Sequence, residues 1–352
     1  MSALTTFLMG HFMRWFPHRA ETGLRAVGHP DENSPVLVSC NYTLSVARLV
    51  RELEGLDVWV LVAQSSGINV WCAACGGEFT DHQVISAVKT SRLSEKVRHR
   101  RLILPALCAP GMDVKNIRDK TGFRARFGPA EASDIRAYLD AGMKKLEGMQ
   151  RKDFGIGHRM DMLVSMNFVW WAPVAAAFAI FWPEHLFHFS VLFWGTALGV
   201  YVLFPWVPGR RGWTKAFIVT LVLVAGYVGA GRIVHDDPFF YWPWIVGAAL
   251  LTAMIGMDLG GTAGPVPSDA EEALHRMGVK SMGSFMKEKA IGRVTLDREA
   301  CTGCFTCNGV CPIGVFGRDP VVRKTRLARR GDCFSCGACV KQCPERALRL
   351  AS

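Results

Sequence analysis

Acidic side chains are in short supply: 30 Asp and Glu stand against 41 Lys and Arg, a formal net charge of +11. Such a surplus by itself suggests a polyanionic partner, either nucleic acid or an anionic membrane surface. No recognition motif accompanies the charge, and the basic residues are not interleaved with aromatics, which sets nucleic-acid binding aside. Nor is a secretory leader expected. Within residues 1–18 the apolar runs are short, broken by His11, Arg14 and Pro17, and no small-residue cleavage site follows. Histidine pairs inside apolar blocks are missing as well: His185, His188 and His235 lie near block ends, which argues against haem.

What is present is apolar sequence, unevenly spread. Half of the chain is hydrophobic, and four blocks, residues 163–182, 187–207, 213–234 and 239–257, each approach the ~20 residues a helix needs to cross a ~30 Å hydrocarbon core. Trp182, Trp206, Trp213, Tyr241 and Trp242 cluster near block ends, where amphipathic rings favour the headgroup layer. Arg151, Lys152 and Arg159 precede the first block, and the connection 208–214 carries Arg210 and Arg211, with Lys215 just after. The connection after residue 182 has no Lys or Arg, and the one at 236–238 is acidic. The positive-inside tendency therefore predicts a multi-pass protein of the cytoplasmic membrane, with both soluble domains on the cytosolic side.

The predicted organisation is multidomain: an N-terminal segment (1–34), an α/β domain (35–150), a four-helix transmembrane region (151–258), a linker with an amphipathic helix (259–292), and a cysteine-rich domain (293–352). Apolar runs at 36–39, 58–62, 102–104 and 125–127 read as strands. Helical patterns separate them, with Leu44, Ala47, Val50 and Leu53 on one face, a helix around 82–88, and a last helix over 131–149. Strands separated by helices predict a mostly parallel sheet.

Eight of the 12 cysteines follow a strict repeat: Cys301-x2-Cys304-x2-Cys307-x3-Cys311-Pro, then Cys333-x2-Cys336-x2-Cys339-x3-Cys343-Pro. In two-cluster ferredoxins the fourth cysteine of each run ligates the other cluster. The spacing predicts two [4Fe-4S] clusters, one on Cys301, Cys304, Cys307 and Cys343, the other on Cys333, Cys336, Cys339 and Cys311, in an α+β ferredoxin-like domain. A structural zinc site is the alternative, and it does not need this doubled run.

The remaining cysteines are Cys40, Cys72, Cys75 and Cys108. Taken bare, Trp71-Cys72-Ala73-Ala74-Cys75 reads either as a redox-active thiol pair at a helix start or as a buried inert pair. The wider stretch Asn69-Val70-Trp71-Cys72-Ala73-Ala74 resembles the cap-helix motif of the mercury-methylating corrinoid protein family, relatives of the cobalamin-binding subunit of the corrinoid iron–sulfur protein. The segments 35–38, 41–42, 99–105, 109–111, 127–129 and 257–262 are similar to that family too, and the final domain resembles its partner ferredoxin, here on the same chain.

The resemblance implies a Rossmann-like corrinoid-binding domain, with Asn69 through Ala74 against the corrinoid (cobalamin) and Cys72 as the lower ligand of cobalt. A thiolate is a soft donor suited to that metal. It implies membrane-anchored corrinoid-dependent methyl transfer of the mercury-methylation kind, the clusters restoring reduced cobalt. An enzyme of this sort is a corrinoid-dependent methyltransferase. Its partners are an external electron donor and a methyl source, either a donor protein or a methyl-tetrahydrofolate-type pathway. Three departures stand out: Cys75 and Gly76 replace the family's Gly-Lys, no cysteine pair follows Cys343, and four apolar blocks stand where the family has five. Cys75 also motivates the alternative of a membrane-bound electron-transfer protein using a Cys72/Cys75 dithiol and no corrinoid. Cys40 and Cys108 read as small buried hydrophobes, unless they converge with Cys75 on the corrinoid face to relay a thiophilic metal.

Overall fold

The computed structural model describes residues 7–8, 10–12, 14, 16–150, 156–203, 212–234, 242–259, 294–328, 333 and 335–350. The chain forms two compact units, one of Met1–Phe16 with Phe154–Lys287, the other of Pro17–Asp153 with Glu288–Ser352.

The second unit opens with a five-stranded sheet. Its strands are β1 (Gly23–Val27), β2 (Val36–Cys40), β3 (Val58–Ala63), β4 (Arg101–Leu104) and β5 (Arg124–Phe127), in the order β1-β3-β2-β4-β5. From β3 to β5 neighbouring strands run parallel, in register Leu37↔Val60 and Leu104↔Phe127, whereas β1 joins the β3 edge antiparallel. All five residues of β2 are buried, as expected of a central parallel strand covered on both faces.

Alternate strand residues feed two cores. Val36, Val38, Cys40, Leu61, Leu102 and Leu104 pack on one face with helices α2 (Val70–Gly76), α3 (Asp81–Thr90) and α5 (Val114–Thr121). Leu37, Val58, Val60, Val62 and Ile103 pack on the other with α1 (Thr43–Glu52) and α6 (Ile135–Asp140). A short turn of helix, α4 (Leu93–Lys96), leads into β4.

Two expectations need correction here. Helix α1 buries Val46 and Leu49 besides the expected Leu53, while Leu44, Ala47 and Val50 of the expected face are only half-buried, because the sheet meets the neighbouring stripe. The helix expected over 131–149 is a 3₁₀ turn (Ala132–Asp134) followed by α6, which ends at Asp140. Gly142 and Met143 take positive φ (65° and 62°), a conformation no α-helix continues through.

The cysteine-rich domain repeats one small pattern twice. Helix α11 (Thr306–Val310) leads to Cys311 and helix α12 (Ala338–Gln342) to Cys343, each entered from a left-handed residue, Phe305 (φ 57°) and Gly337 (φ 74°). The antiparallel ladders β6 (Val294–Leu296) with β9 (Leu348–Leu350), and β7 (Phe316–Arg318) with β8 (Thr325–Leu327), close the domain. Its core is thin, and Cys307, Cys311 and Cys339 belong to it beside Val294, Val315, Phe316 and Leu348.

In the first unit lie α7 (Ile156–Phe181), α8 (Pro183–Leu203), α9 (Gly212–Val234) and α10 (Trp242–Leu259). Four helices follow the four apolar blocks, but among the described residues only α7 and α8 are long and apolar enough to cross a membrane. The described apolar stretches of the others, Phe217–Gly229 and Trp242–Gly256, are shorter, so the expectation of four spans is reduced to two candidates. The 183–187 connection is also corrected: Pro183 opens α8, a position where its missing N–H costs nothing. Arg159, expected ahead of the first span, lies buried within α7 and donates from Nη1 to the carbonyls of Tyr201 (2.6 Å) and Val202 (3.2 Å). Asp161 pairs with His11 (2.9 Å) and Arg14 (2.7 Å). The expected linker and amphipathic helix lie outside the described residues.

Candidate functional site

In open α/β sheets, ligands bind beyond the carboxyl ends of the strands, where the strand order reverses. Here the reversal falls between β2 and β4, since the chain passes from β2 to β3 on one side and then crosses to β4 on the other. The segments that follow these ends are 41–42, 64–69, 105–111 and 128–129.

Asn41, which follows β2, is the buried tie among them. Its Oδ1 accepts from Ser65 N (2.8 Å), Ser65 Oγ (2.9 Å) and Gly67 N (3.0 Å), and its Nδ2 donates to Gln64 Oε1 (2.7 Å). These bonds hold the loop that delivers α2. Ser66 and Gly67 both take positive φ (57° and 73°), and a Cβ on Gly67 would meet His18 backbone at 2.9 Å, so only glycine fits.

Asn69 then caps α2: its Oδ1 accepts from Cys72 N (3.0 Å) while its Nδ2 donates to Cys72 Sγ (3.3 Å). Within α2, Ala73 and Ala74 are buried, Val70 and Trp71 are half-buried, and Asn69, Cys72, Cys75 and Gly76 are exposed. Cys72 and Cys75 therefore share the outward face, three residues apart. Apart from the adjoining backbone, nothing among the described residues lies within 4 Å of where a Cβ on Gly76 or Gly77 would stand, so this end of the face is open.

The inner face rests on the loop after β4. A Cβ on Gly111 would meet Ala74 O at 3.0 Å and Ala74 Cα at 3.1 Å, and the Phe79 carbonyl closer still. The expected residues Asn69 to Ala74 are thus brought together on one short helix. The convergence of Cys40 and Cys108 with Cys75 does not occur: both are fully buried in the sheet core, and burial pushes both thiols above their ordinary range, Cys108 strongly. Their apolar neighbours in the sequence already favoured that outcome.

The eight cysteines of the repeat separate into two groups. Cys301, Cys304, Cys307 and Cys343 line one cleft together with Leu296, Ala347 and Leu348. Cys339 lies close enough to Cys336, Cys311 and Cys333 for their thiolates to raise it beyond the effect of burial, and Cys336 lies likewise beside Cys311 and Cys333. The exchange of Cys311 and Cys343 between the runs is thus the arrangement in space. It is supported by matching bonds, Val315 N to Cys311 Sγ and Ala347 N to Cys343 Sγ, both 3.3 Å.

Burial raises the thiols of Cys307 and Cys311 and pushes Cys336 up to about 12. Left alone, such thiols stay protonated, and it takes the charge of bound metal to make them thiolates. Among the described residues no three His, Cys, Asp or Glu side chains are set to hold a single ion.

The two domains of this unit meet. Gln342, 8% exposed, donates from Nε2 to Ala109 O (3.0 Å) and Met112 O (2.5 Å); Lys341 Nζ donates to Gly111 O (3.1 Å). Lys145 Nζ donates to Gly309 O (2.7 Å), and its burial lowers its pKa to about 8. Ala109, Phe127, Val310, Cys336 and Ala338 form a small shared apolar cluster. Sequence reasoning missed Gln342, Lys341 and Lys145, because nothing marks an exposed-looking polar residue as an interdomain donor.

A doubly wound α/β domain with a thiol-bearing helix at its strand ends, joined to a ferredoxin-like cysteine domain, is the class this unit defines. Comparison with known proteins narrows both halves. Residues 14–139 match the family of the CO dehydrogenase/acetyl-CoA synthase delta subunit, and residues 300–348 match the 4Fe-4S dicluster domain. The acetyl-CoA decarbonylase/synthase complex subunit gamma of Methanopyrus kandleri is 35% identical over 135 residues, 37% of this chain and 29% of the relative. That of Archaeoglobus fulgidus is 32% identical over 126 residues, 35% of this chain and 26% of the relative. The corrinoid/iron-sulfur protein large subunit of Moorella thermoacetica is 31% identical over 129 residues, 36% of this chain and 28% of the relative. The chain thus spans less than a third of the length of these curated relatives.

Proposed function

We propose that the chain carries out membrane-anchored, corrinoid-dependent methyl transfer, with electrons supplied by two [4Fe-4S] clusters on its own dicluster domain. The observation that carries this reading is Cys72, exposed on α2 at the carboxyl ends of the strands, in a region similar to corrinoid/iron-sulfur and acetyl-CoA synthase subunits. Its thiol points away from the packed core, as a ligand to an external cofactor must.

When bound, the corrinoid supplies a cobalt that carries a methyl group to a soft acceptor. The residues of the chain do the rest. Cys72 would hold the cobalt through its sulfur, a soft donor for a soft ion. Asn69 fixes that sulfur through Nδ2 and anchors the first turn through Oδ1. Ala73 and Ala74 are small enough to let α2 lie against Gly111 and Phe79. Gly76 and Gly77 put no side chain over this end of the face.

The two cysteine groups supply four thiols each, the number a cubane needs. The acceptor we favour is a thiophilic electrophile such as Hg(II), on the strength of the Asn69–Ala74 motif. The relatives' names link them to a multisubunit complex, which supports a protein partner as methyl donor. Candidate spans α7 and α8, with the basic residues beside them, support a cytoplasmic-membrane location with both soluble domains on the cytosolic side.

The test is the cobalt, corrinoid, iron and sulfide content of the anaerobically purified full chain, together with its spectrum on adding cobalamin. Binding with a spectrum altered by Cys72→Ala supports the reading. Iron and sulfide without cobalamin binding, or a spectrum indifferent to Cys72→Ala, refutes it. A dithiol between Cys72 and Cys75 without corrinoid is the second reading, favoured by their shared exposed face. It is lost if Cys75→Ala is harmless in a corrinoid-replete protein.

A further inference from the structure

The two cysteine groups are not equivalent with respect to α2. The first lines a cleft whose walls, from Leu296 to Leu348, all belong to the cysteine-rich domain, and its Cys304 is exposed. The second faces the α/β domain. Cys336 packs beside Ala109, in the loop after β4, and Phe127, at the end of β5. Cys75 shares the outward face of α2 with Cys72.

This approach is held by defined bonds. Helix α12 carries Cys339 and Gln342, and both Gln342 amide hydrogens are spent on backbone carbonyls of the other domain, Ala109 and Met112. Because both partners are acceptors, only the amide nitrogen can face them, so the orientation is fixed by chemistry. Lys341 adds a bond to Gly111, which is in contact distance of Ala74 in α2. From α12 to the cap helix the contacts run from the Gln342 and Lys341 side chains to the backbone of residues 109–112, and from there to Ala74.

We infer that the group Cys311, Cys333, Cys336 and Cys339 is the electron outlet toward the Cys72 face, that the group Cys301, Cys304, Cys307 and Cys343 is the inlet, and that Gln342 is the positioning residue that seats the outlet. An external one-electron reductant gives one electron to the inlet; the outlet takes it up and releases it at the α2 face, with no bond made or broken. The inference rests on the proposed function only for the identity of the final acceptor.

The experiment therefore leaves cobalamin out. The full-length, iron-loaded protein is titrated with dithionite and the two clusters are followed by electron paramagnetic resonance in the parent, Cys75→Ala and Cys75→Asp proteins. A carboxylate on the α2 face, with an effective dielectric near 20, is expected to shift one cluster's equilibrium about three- to tenfold toward the oxidised form. The other cluster should stay unmoved. The shifted cluster must be the one that survives Cys301→Ala/Cys304→Ala. If that variant holds no iron, the unmoved cluster must be the one that survives Cys333→Ala/Cys336→Ala. Gln342→Leu, with iron content unchanged, should abolish the response to Cys75→Asp, which a residue that merely stabilised the fold would not do. A shift confined to the first group, an equal shift of both, no shift at all, or a response that persists in Gln342→Leu overturns the inference. A protein that passes this test yet binds no cobalamin refutes the methyl-transfer reading and leaves the outlet standing.

Discussion

Gly111→Ala is the sharpest probe of how the site is built. Gly111 does not need an unusual φ; it needs room. The added methyl would sit 3.0 Å from Ala74 O and 3.1 Å from Ala74 Cα, and closer to the Phe79 carbonyl. All three are backbone atoms, so no rotamer change relieves the contact, and α2 must move away from the loop after β4. Overpacking of this kind costs about 1–3 kcal/mol. In a domain of 150–250 residues each kcal/mol lowers the melting temperature by ~2–4 °C, so a loss of roughly 2–12 °C is expected. The measurement is thermal unfolding of the iron-loaded full chain by circular dichroism, with the alkylation rate of Cys72 recorded in parallel as a report on α2. Gly76→Ala is the control. Nothing lies within 4 Å of its new methyl, and alanine is favoured over glycine in a helix by roughly 0.5–1 kcal/mol. If Gly111→Ala melts with the parent or with Gly76→Ala, and Cys72 reacts unchanged, the packing of α2 on that loop is not what positions the thiol.

Asn69→Ala should cost about 1 kcal/mol through loss of the cap, whereas Asn69→Asp keeps the acceptor but loses the donor to Cys72 Sγ. Urea unfolding and Cys72 alkylation rates should therefore separate, Asp rescuing stability but not the parent rate. With the clusters in place, a maleimide should capture Cys72 and Cys75 but neither Cys40 nor Cys108, both fully buried with thiols raised by burial; mass spectrometry of native protein reads this directly. Iron chelation should expose the amides of residues 294–350 to hydrogen exchange while residues 17–140 stay protected, since the small domain has too thin a core to hold alone. Lys145, lowered from 10.5 to about 8 by burial, carries a desolvation cost while both folded and unfolded states are protonated. As pH rises from about 8 to 10.5 the unfolded chain retains a proton the folded one has released, so stability should rise, by about 3 kcal/mol at most. Its bond to Gly309 offsets part of that, and Lys145→Met should remove the pH slope seen in urea midpoints.

The parts of the fold that could be read from sequence are those where burial is continuous. Strands β2, β3 and β4 carry the apolar runs 36–38, 58–63 and 102–104, closed by Asn41, Gln64 and Pro105, and such runs have few alternatives. Strand β1 escaped notice because an edge strand in antiparallel pairing contributes little to either core, here Leu24 to one and Val27 to the other. The face of α1 was displaced because Leu44 and Val46 are equally apolar and only the sheet decides between them. The end of the last helix turned on the backbone at Gly142 and Met143. As for the site, the doubled cysteine spacing and the Asn69 to Ala74 motif were visible as strings. The seating of Gln342 on two carbonyls was not, since it depends on surfaces that no local pattern encodes.

The exchange of Cys311 and Cys343 between the two runs has a consequence for how the domain matures. Neither run has four thiols of its own within a group, so iron and sulfide delivered to one half meet only three sulfurs until the other half arrives. Assembly is therefore all-or-none, and damage to a single fourth cysteine is felt first in the cofactor of the opposite repeat.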